Sequence, residues 1–338
     1  MKFLLLPFSW LFGLITSLRN VLYDKGIFKA YQSPLKTIVI GNLQVGGSGK
    51  TPMTAYLYEL FHTQYHTAIL SRGYGRKSSG LIEAMPDSTA ETIGDEPLWY
   101  YRQLKNARVV VAEKRQVGLQ YLESCDTQLV LLDDAYQHRA VKANVYLMLS
   151  EYSKPYYQDY PMPYGRLREY RTGDRRADCI IMTKCPADLR LEDKVKTIQT
   201  INPMDGQEVF FTGLKAGTPS NVNGKPSFTE VDFDHVIALS GIASPDSFIN
   251  FCQTFGKPVQ VCSYRDHHHY TVEDIKEVLK YAGSKSVVVC TEKDAVKLGV
   301  PELLKEFGEV PLFSLPVRPY FLFDEEEKFK KVLKSKHL

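Results

Sequence analysis

Short apolar runs alternate with stretches of helical periodicity over the first part of the chain. Runs that are mostly apolar along their whole length are typical of strands buried on both faces. The predicted strands span residues 37–41, 67–71, 108–112, 128–133, 144–149 and 178–183. Strands that alternate with helices predict an α/β fold, with a mostly parallel sheet and helices on both faces. Ligands of such sheets bind at the carboxyl ends of the strands.

The alternation breaks between residues 202 and 234. The strand pattern Val209–Thr212 and the turn signal at 223–224 lie in this stretch, which we interpret as a hairpin-like connector. Further strand patterns at 235–240 and 286–290 indicate a second, smaller α/β domain. The predicted organisation is an N-terminal helix at 1–30, a core domain at 31–201, the connector at 202–234 and the smaller domain at 235–338.

The N-terminal segment is almost entirely apolar from Phe3 to Leu18. Small and polar residues recur in it at helical spacing and form one narrow face: Ser9, Gly13, Thr16 and Asn20. A secretory signal, a buried core helix and a monotopic membrane helix are the three interpretations. No small-x-small cleavage site follows the run, and it is shorter than the roughly 20 residues that span a bilayer. We favour the monotopic helix, since Arg19, Lys25 and Lys29 can face anionic lipid.

Composition narrows the class of protein. The chain has 338 residues, 44% of them hydrophobic, and a net charge of only +3, so its charge does not indicate a nucleic-acid binder. The six cysteines are scattered and form no C-x-x-C pair. This usage is typical of free thiols in a reducing compartment and favours neither a disulfide framework nor a zinc site.

A glycine-rich turn ending in Gly-Lys-Thr follows the first predicted strand. Glycines let backbone N–H groups curl around phosphate oxygens, and the helix start that follows favours an anion. Lys50 can reach the β- and γ-phosphates, and Thr51 can bind Mg²⁺. Gln44 stands where the phosphate-loop pattern has glycine, and Gly46 and Gly47 supply the flexibility instead. The predicted nucleotide-binding residues are Gln44, Val45, Gly46, Gly47, Ser48, Gly49, Lys50 and Thr51.

Two carboxylates end the apolar run at 129–132. A buried strand that delivers Asp133 or Asp134 to Mg²⁺ beside a phosphate loop is typical of nucleotide hydrolases and kinases. A solvated acidic turn is the alternative interpretation. Gln137 and His138 follow at once, and we expect them to line the same cleft.

Three further groups of residues are candidates for chemistry. Asp95 lies at a predicted helix start, where it either caps the helix or accepts a proton from an attacking hydroxyl. Arg72 ends a strand in a basic loop, and Arg166 and Arg168 lie in a second basic run; both runs suit anionic groups, or are solvated surface. Residues 267–269 are consecutive histidines, which point in different directions and do not favour a shared metal. A single histidine oriented by a carboxylate is the better hypothesis.

These motifs, in this order and spacing, resemble the tetraacyldisaccharide 4'-kinase family, the lipid A 4'-kinases of Gram-negative bacteria. The resemblance covers nearly the whole chain, including its apolar N-terminus. Ala135-Tyr136 replaces the Gly-Phe that usually follows the paired aspartates. The stretches that carry the resemblance are 41–43, 46–52, 71–75, 94–97, 133–139, 165–169, 241–245, 266–267 and 291–294.

The resemblance implies ATP-dependent phosphorylation of the 4'-hydroxyl of a membrane-embedded disaccharide 1-phosphate. It also implies a P-loop core and a monotopic location on the cytoplasmic face of the inner membrane. No obligate protein partner is evident from the sequence. Carried over, Lys50 and Thr51 bind ATP and Mg²⁺, and Asp133 or Asp134 completes the metal site with Glu96 nearby. Asp95 looks like the base, with His267 from the second domain as its partner.

A membrane-associated switch or assembly ATPase is the alternative interpretation. Dimerising ATPases of this type carry a lysine before the two glycines, where Val45 stands here. A GTPase would have Asn-Lys-x-Asp after a strand, and the run at 183–186 lacks that aspartate. A module that only senses nucleotide is disfavoured by the paired aspartates and by Asp95.

Overall fold

The computed structural model describes residues 2–336. Met1, His337 and Leu338, at the ends of the predicted segments 1–30 and 235–338, lie outside the described residues. The helices are α1 Leu6–Asp24, α2 Lys50–Phe61, α3 Ala90–Ile93, α4 Asp95–Gln103, α5 Arg115–Glu123, α6 Leu191–Ile201, α7 Asp246–Gln253, α8 Val272–Leu279, α9 Glu292–Leu298, α10 Pro301–Glu306 and α11 Glu326–Ser335. The strands are β1 Tyr31–Gln32, β2 Lys36–Asn42, β3 Thr67–Ser71, β4 Ile82–Glu83, β5 Arg108–Val111, β6 Leu129–Asp133, β7 Val141–Lys142, β8 Val145–Glu151, β9 Cys179–Thr183, β10 Glu208–Ala216, β11 Ser220–Asn221, β12 His235–Ser240, β13 Val259–Ser263, β14 Ser286–Thr291, β15 Leu312–Leu315 and β16 Val317–Phe321.

The larger sheet has nine strands in the order β16-β10-β9-β8-β2-β6-β3-β5-β4. Its strands are parallel except for β4 and β16, which pair antiparallel at the two edges. All six strands predicted for the core lie in it, which confirms the mostly parallel α/β sheet. The phosphate loop follows β2, the middle strand, so it opens at the carboxyl edge of the sheet.

Helices cover both faces of the larger sheet. Ile38 and Ile40 of β2 face one hydrophobic cluster, to which α2, α4 and α11 contribute Met53, Trp99 and Phe329. Val39 faces the opposite cluster, which contains α5. Residues on both sides of β2 are therefore removed from water, and this explains why parallel strands of this kind are apolar at successive positions.

The smaller sheet has five strands in the order β11-β15-β14-β12-β13. The last four are parallel, and β11 pairs antiparallel with β15. Two hydrophobic clusters cover its two faces, one built around α8, α9 and α10 and the other around α7. The prediction of a second, smaller α/β unit agrees with this sheet.

The prediction of a hairpin-like connector at 202–234 is wrong. Residues 208–216 form β10, which pairs with β9 and β16 inside the larger sheet, whereas β11 belongs to the smaller one. The chain also returns to the larger sheet at its end, through β16 and α11, so the second unit does not extend to residue 338. The physical reason is that β9 leaves one backbone edge open, and the apolar run Val209–Phe211 satisfies it while staying buried.

The N-terminal helix is longer than its apolar run predicts. A 3-10 turn at Lys2–Leu5 leads into α1, and Phe3–Asp24 meets the length and composition of a membrane-crossing helix, a test that soluble core helices and signal sequences also pass. Only Ser9 and Gly13 of α1 are buried. Phe3 and Leu4 of the 3-10 turn are exposed, and the outer face of α1 exposes further large apolar side chains: Phe8, Trp10, Leu11, Leu14, Ile15 and Leu18.

The narrow polar face of α1 is its attachment to the rest of the molecule. Ser9 Oγ donates to the carbonyl of Pro161 at 2.7 Å, and the amide of Asn20 donates to Glu169 at 2.6 Å. Gly13 lies against the ring of Tyr170, so close that a Cβ would fall 2.4 Å from it. The helix therefore turns its polar side inward and its apolar side outward, the reverse of a surface helix on a water-soluble protein.

Candidate active site

The phosphate loop connects β2 to the first turn of α2. Gly46 and Gly49 have positive φ angles of 113° and 84°, a conformation that glycine adopts without steric cost. Lys50 and Thr51 are the first two residues of α2, where free backbone N–H groups and the helix dipole favour an anion. The predicted sequence of strand, glycine turn and helix start is confirmed.

Gln44 has an anchoring position rather than a place in the cleft. Its side chain is buried, and its Nε2 donates to Asp159 Oδ2 at 2.9 Å and to the carbonyl of Lys154 at 3.1 Å. The backbone beside it is held as well, since Val45 N donates to the carbonyl of Arg166 at 2.8 Å. The prediction that places Gln44 among the nucleotide-binding residues is corrected in this respect: its side chain fastens the loop from behind.

Strand β6 delivers two carboxylates to the carboxyl edge of the sheet. Asp133 is buried; burial, followed by the charges of Glu96 and Asp134, raises its pKa to about 7. Asp134 has a positive φ of 44°, and its carboxylate lies 2.9 Å from Arg168 Nη1 and 3.7 Å from Lys50 Nζ. The two aspartates therefore differ: Asp134 is neutralised by cations and Asp133 is crowded by other carboxylates.

Asp95 and His267 join the two sheets. Asp95 is the first residue of α4, and His267, on the loop after β13, donates from Nδ1 to Asp95 Oδ2 at 2.8 Å. Burial raises the pKa of Asp95, but the contacts of His267 and Lys297 outweigh it and lower this pKa to about 2. The same hydrogen bond raises the pKa of His267. Gly94 is the N-cap of α4, and the Asp95 carboxylate contacts His267 at 2.8 Å and Lys297 at 4.0 Å.

Glu96 faces the start of α2 from the next position along α4. Thr51 Oγ1 donates to Glu96 Oε1 at 3.0 Å, and the ammonium group of Lys293, from α9, contacts the same oxygen. Burial raises the pKa of Glu96, but the charges of Lys293 and Lys50 outweigh burial and hold it below its usual value. A second charged contact therefore crosses from the smaller sheet to the larger one.

The residues predicted to bind the metal fit Mg²⁺. They offer one hydroxyl and three carboxylates, which are oxygen ligands of the kind Mg²⁺ prefers: Thr51, Glu96, Asp133 and Asp134. The raised pKa of Asp133 comes in part from this crowding of carboxylates, which a divalent cation relieves. Within residues 2–336 no group of three or more His, Cys, Asp and Glu is placed to hold a metal by itself. Since Mg²⁺ commonly completes its shell with waters and phosphate oxygens, the site is one that a nucleotide completes.

A cleft of 460 Å³ lies between the two sheets. Its first wall is the phosphate loop, with Thr51 and Glu96. Its second wall comes from the smaller sheet and adds apolar side chains, among them Phe248 and Phe251, as well as His267. A cleft of this size, apolar on one side and lined by N–H groups and charges on the other, suits a nucleotide.

Three of the residues predicted to contact an acceptor lie around the phosphate loop. Arg168 lines the cleft. Arg166 lies outside it and pairs with Asp159 at 2.9 Å. Gln137 Nε2 donates to the carbonyl of Asn42 at 2.8 Å, so this side chain supports the end of β2. The structure thus brings Arg168 to the cleft and gives the other two supporting contacts.

The other two predicted acceptor residues, Arg72 and His138, belong to a cationic cluster beside α1. Burial lowers the pKa of His138 to about 4, and nearby positive charges add to the effect: Arg115, Arg19 and Arg72. Arg19 is carried by α1 and donates to the carbonyl of Gln137 at 3.3 Å. The cationic cluster, defined as Arg19, Arg72 and Arg115 together with the uncharged imidazole of His138, therefore lies between the N-terminal helix and the catalytic edge of the sheet.

Comparison with known proteins decides the family. A sequence model of LpxK, tetraacyldisaccharide-1-P 4'-kinase, matches residues 1–337. The chain belongs to the tetraacyldisaccharide 4'-kinase family. It is 40% identical to the tetraacyldisaccharide 4'-kinase of Flavobacterium psychrophilum, with 97% of this chain and 95% of that one covered. It is also 40% identical to that of Cytophaga hutchinsonii, over 91% of this chain and 88% of the relative.

A solved structure of the family has the same architecture. The crystal structure of LpxK from Aquifex aeolicus in complex with ATP matches with a TM-score of 0.78 and 29% identity, over 99% of each chain. The family resemblance, the P-loop kinase fold and the use of ATP with Mg²⁺ predicted from the sequence are confirmed. The alternative of a switch or assembly ATPase is not supported.

Several side chains of this kinase were missed by the sequence analysis. The ring of Tyr74 lies 5.4 Å from the ring of His267, and Lys297 Nζ lies 4.0 Å from Asp95 Oδ2. Tyr74 and Lys293 stand inside motifs that carry the resemblance, so their positions were a signal without an assigned role. Asp159, which holds Gln44, is in no motif, and its role depends on a contact that sequence spacing does not reveal.

Proposed function

We propose that Asp95, held by His267, accepts the proton of the acceptor hydroxyl as the γ-phosphoryl group leaves ATP. As a member of its family, the protein is a lipid A kinase that phosphorylates the 4'-hydroxyl of a tetraacyldisaccharide 1-phosphate with ATP. The observation that carries the proposal is the 2.8 Å hydrogen bond between His267 Nδ1 and Asp95 Oδ2, next to the phosphate loop. A carboxylate oriented by a histidine can take a hydroxyl proton.

The phosphate loop has the role of holding the triphosphate. The N–H groups at Gly46 to Lys50 surround the phosphate oxygens, and Lys50 moves its charge from Asp134 towards them. Asp134 keeps a second cation, Arg168, so its half-buried carboxylate is not left unpaired. Phosphoryl transfer depends mainly on positioning and charge neutralisation, which these contacts supply.

The metal site is proposed at Thr51, Glu96 and the two aspartates that end β6. When bound, Mg²⁺ neutralises charge on the phosphates and fixes their orientation. Thr51 Oγ1 and Glu96 Oε1 already lie 3.0 Å apart, so the two oxygens are placed on one side of the site. Asp133 faces it from the end of β6, where burial and then the charges of Glu96 and Asp134 raise its pKa.

The acceptor lipid is proposed to reach the cleft from the membrane surface beside α1. The apolar outer face of α1 suits the hydrocarbon boundary, and the cationic cluster beside it suits an anionic headgroup. We place the protein as a monotopic enzyme on the cytoplasmic face of the inner membrane, where ATP is available. The proposal needs no protein partner and no nucleic acid.

The test is the variant Asp95→Asn, assayed with γ-labelled ATP and a tetraacyldisaccharide 1-phosphate in mixed micelles. The amide keeps the shape of the carboxylate but cannot accept the proton, so kcat should fall about 10²- to 10⁴-fold. The Kd for ATP, measured by calorimetry, should stay within about twofold, because Asp95 does not contact the phosphates in this proposal.

Asp232→Asn is the matched control, since Asp232 pairs with Lys285 on an exposed surface. It should retain full activity. Locating the label on the product identifies the phosphorylated hydroxyl. Undiminished kcat in Asp95→Asn would remove this residue as the base.

A further inference from the structure

Lys293 is a cation that the smaller sheet extends into the phosphate end of the cleft. It lies on the first turn of α9, lines the cleft, and its ammonium group contacts Glu96 Oε1. That oxygen also accepts the hydrogen bond of Thr51 Oγ1, at 3.0 Å. The ammonium group of Lys293 and the hydroxyl of Thr51 therefore share one carboxylate oxygen, and Thr51 directly follows Lys50.

The contact of Lys293 is not needed to attach α9 to the larger sheet. Arg318, on β16, binds Glu292 at 2.9 Å, and Arg102 on α4 donates to the carbonyl of Val296 at 3.2 Å. These contacts lie before and after Lys293 and already join the two sheets. The Lys293 side chain also stays 27% exposed, and it is one of the side chains that line the cleft.

The charges around Lys293 suit an anion that carries more charge than the loop alone neutralises. Lys50 and Arg168 both lie at Asp134, on one side of the phosphate loop. Lys293 approaches from the opposite wall, beside Glu96 and Thr51. A phosphoryl group between these walls is therefore reached by cations from two directions. Charge that develops on such a group is stabilised most by donors already in place.

We propose that Lys293 Nζ binds a non-bridging oxygen of the γ-phosphoryl group and stabilises it during transfer, as a catalytic residue supplied by the smaller sheet. The bond between phosphorus and the bridging oxygen of ADP breaks, and a bond from the acceptor oxygen to phosphorus forms. The hydroxyl proton goes to the Asp95–His267 pair, and Lys293 stays protonated throughout. This inference rests on the proposed function of the cleft.

The placement also gives the smaller sheet a part in the reaction beyond covering the nucleotide. Lys293 and His267 both come from loops or helix starts at the carboxyl edge of the smaller sheet, and both contact the first turn of α4. When the two sheets lie together, the Asp95–His267 pair is complete and the Lys293 ammonium group is in the cleft at the same time. Chemistry that needs both residues is restricted to the assembled cleft, which limits transfer to water.

The experiment compares two nucleotides in Lys293→Met, in the presence of Mg²⁺. Calorimetry gives the Kd for the β,γ-imido analogue of ATP and for ADP, and the lipid assay gives kcat. The Kd for the analogue should rise about tenfold and that for ADP should stay within about twofold, because only the analogue carries a γ-phosphoryl group; kcat should fall about 100-fold. Lys293→Arg should recover at least about a tenth of wild-type kcat.

Lys285→Met, which removes a lysine from an exposed ion pair, is the control for loss of a charge on the same unit. If Lys293→Met does not fold, Lys293→Gln, which can still donate to Glu96, enters the same comparison. Equal weakening of both nucleotides, or a kcat within about threefold of wild type, overturns the proposal. If Lys293→Met gives either of these results while Asp95→Asn loses activity, the role of Lys293 is refuted and the role of Asp95 as the base is kept.

Discussion

At the scale of single residues, the contact between Asp95 and His267 shifts their two pKa values in opposite directions. The lowered pKa of Asp95 stabilises the fold above the unfolded value of about 3.9, and this contribution is lost as the pH falls towards about 2. The raised pKa of His267 stabilises the fold below about 6.5, and this contribution is lost as the pH rises through the folded value. Both contributions are therefore present together in mildly acidic solution.

Catalysis requires the other protonation state of His267 from the one that stabilises the fold. When His267 is protonated, the pair already holds its proton, and Asp95 is a weak acceptor. We therefore expect kcat/KM to fall as the pH drops through the raised pKa of His267, a value above its ordinary one. In His267→Gln this limb should disappear or move to lower pH, with lower activity throughout. The measurement is a pH profile from about pH 5 to 9 for both proteins. An identical acidic limb in the variant would contradict it.

At the scale of elements, α1 has two faces with separate tasks. Changing Leu11, Leu14 and Leu18 to serine removes apolar area that the outer face exposes, each side chain contributing about 1.5–3 kcal/mol when buried in lipid. The affinity for anionic phospholipid vesicles, measured by sedimentation, should therefore fall by at least about tenfold, which is the effect expected from the loss of even one such side chain. The thermal midpoint should change little, because these side chains contact solvent in the folded chain.

The control for this triple variant changes the inner face. In Gly13→Leu the new side chain clashes with the ring of Tyr170. We expect this clash to detach α1 from the rest of the molecule, while the outer face of α1 stays apolar. Vesicle binding should persist and kinase activity on the lipid should fall. Equal vesicle binding by the triple variant and the wild type would show that another surface carries the attachment.

The elements themselves were largely predictable, and their sheet membership was not. Strands such as β2 and β6 are buried on both faces, and this leaves an apolar run that can be recognised without tertiary information. The run in β10 is just as apolar, but nothing in it states which sheet it joins. The pairing of β10 with β16 links residues about a hundred positions apart, a contact that no local pattern encodes.

The catalytic residues also divide into those that a local sequence pattern predicts and those whose role depends on contacts between distant parts of the chain. Lys50, Thr51 and the paired aspartates are short-range patterns whose chemistry requires a strand, a turn and a helix start in sequence. Asp95 and His267 are far apart in the chain, and only the family resemblance suggested their partnership. The anchoring of Gln44 by Asp159 depends on a loop conformation and left no trace in spacing.

At the scale of the whole molecule, Arg318 connects the two sheets. It lies on β16 and binds Glu292 of α9 at 2.9 Å and Glu59 of α2 at 3.3 Å. Removing it in Arg318→Met leaves Glu292 largely buried without its cation, and burial already raises the pKa of this carboxyl. We expect the free energy of unfolding in urea to fall by about 2–3 kcal/mol, less than for a fully buried pair because Arg318 is partly exposed.

Arg190→Met is the comparison for this loss, since Arg190 pairs with Asp193 on an exposed surface. Its effect should stay below about 0.5 kcal/mol. A similar small effect for Arg318→Met would mean that the apolar packing between α4 and α9, rather than this ion pair, holds the two sheets together.

One stretch of chain serves both the N-terminal helix and the phosphate loop. Pro161 and Tyr170 bound the segment that receives α1, and between them Arg166 and Arg168 make backbone hydrogen bonds to Val45 and Leu43, at 2.8 and 2.7 Å. A protein resting on a bilayer by the outer face of α1 thus carries its phosphate loop at a set height above the hydrocarbon. On the proposed placement at the membrane surface, this height selects among acceptors: we expect the phosphorylated hydroxyl to be the one whose sugar stands off from the bilayer by that distance.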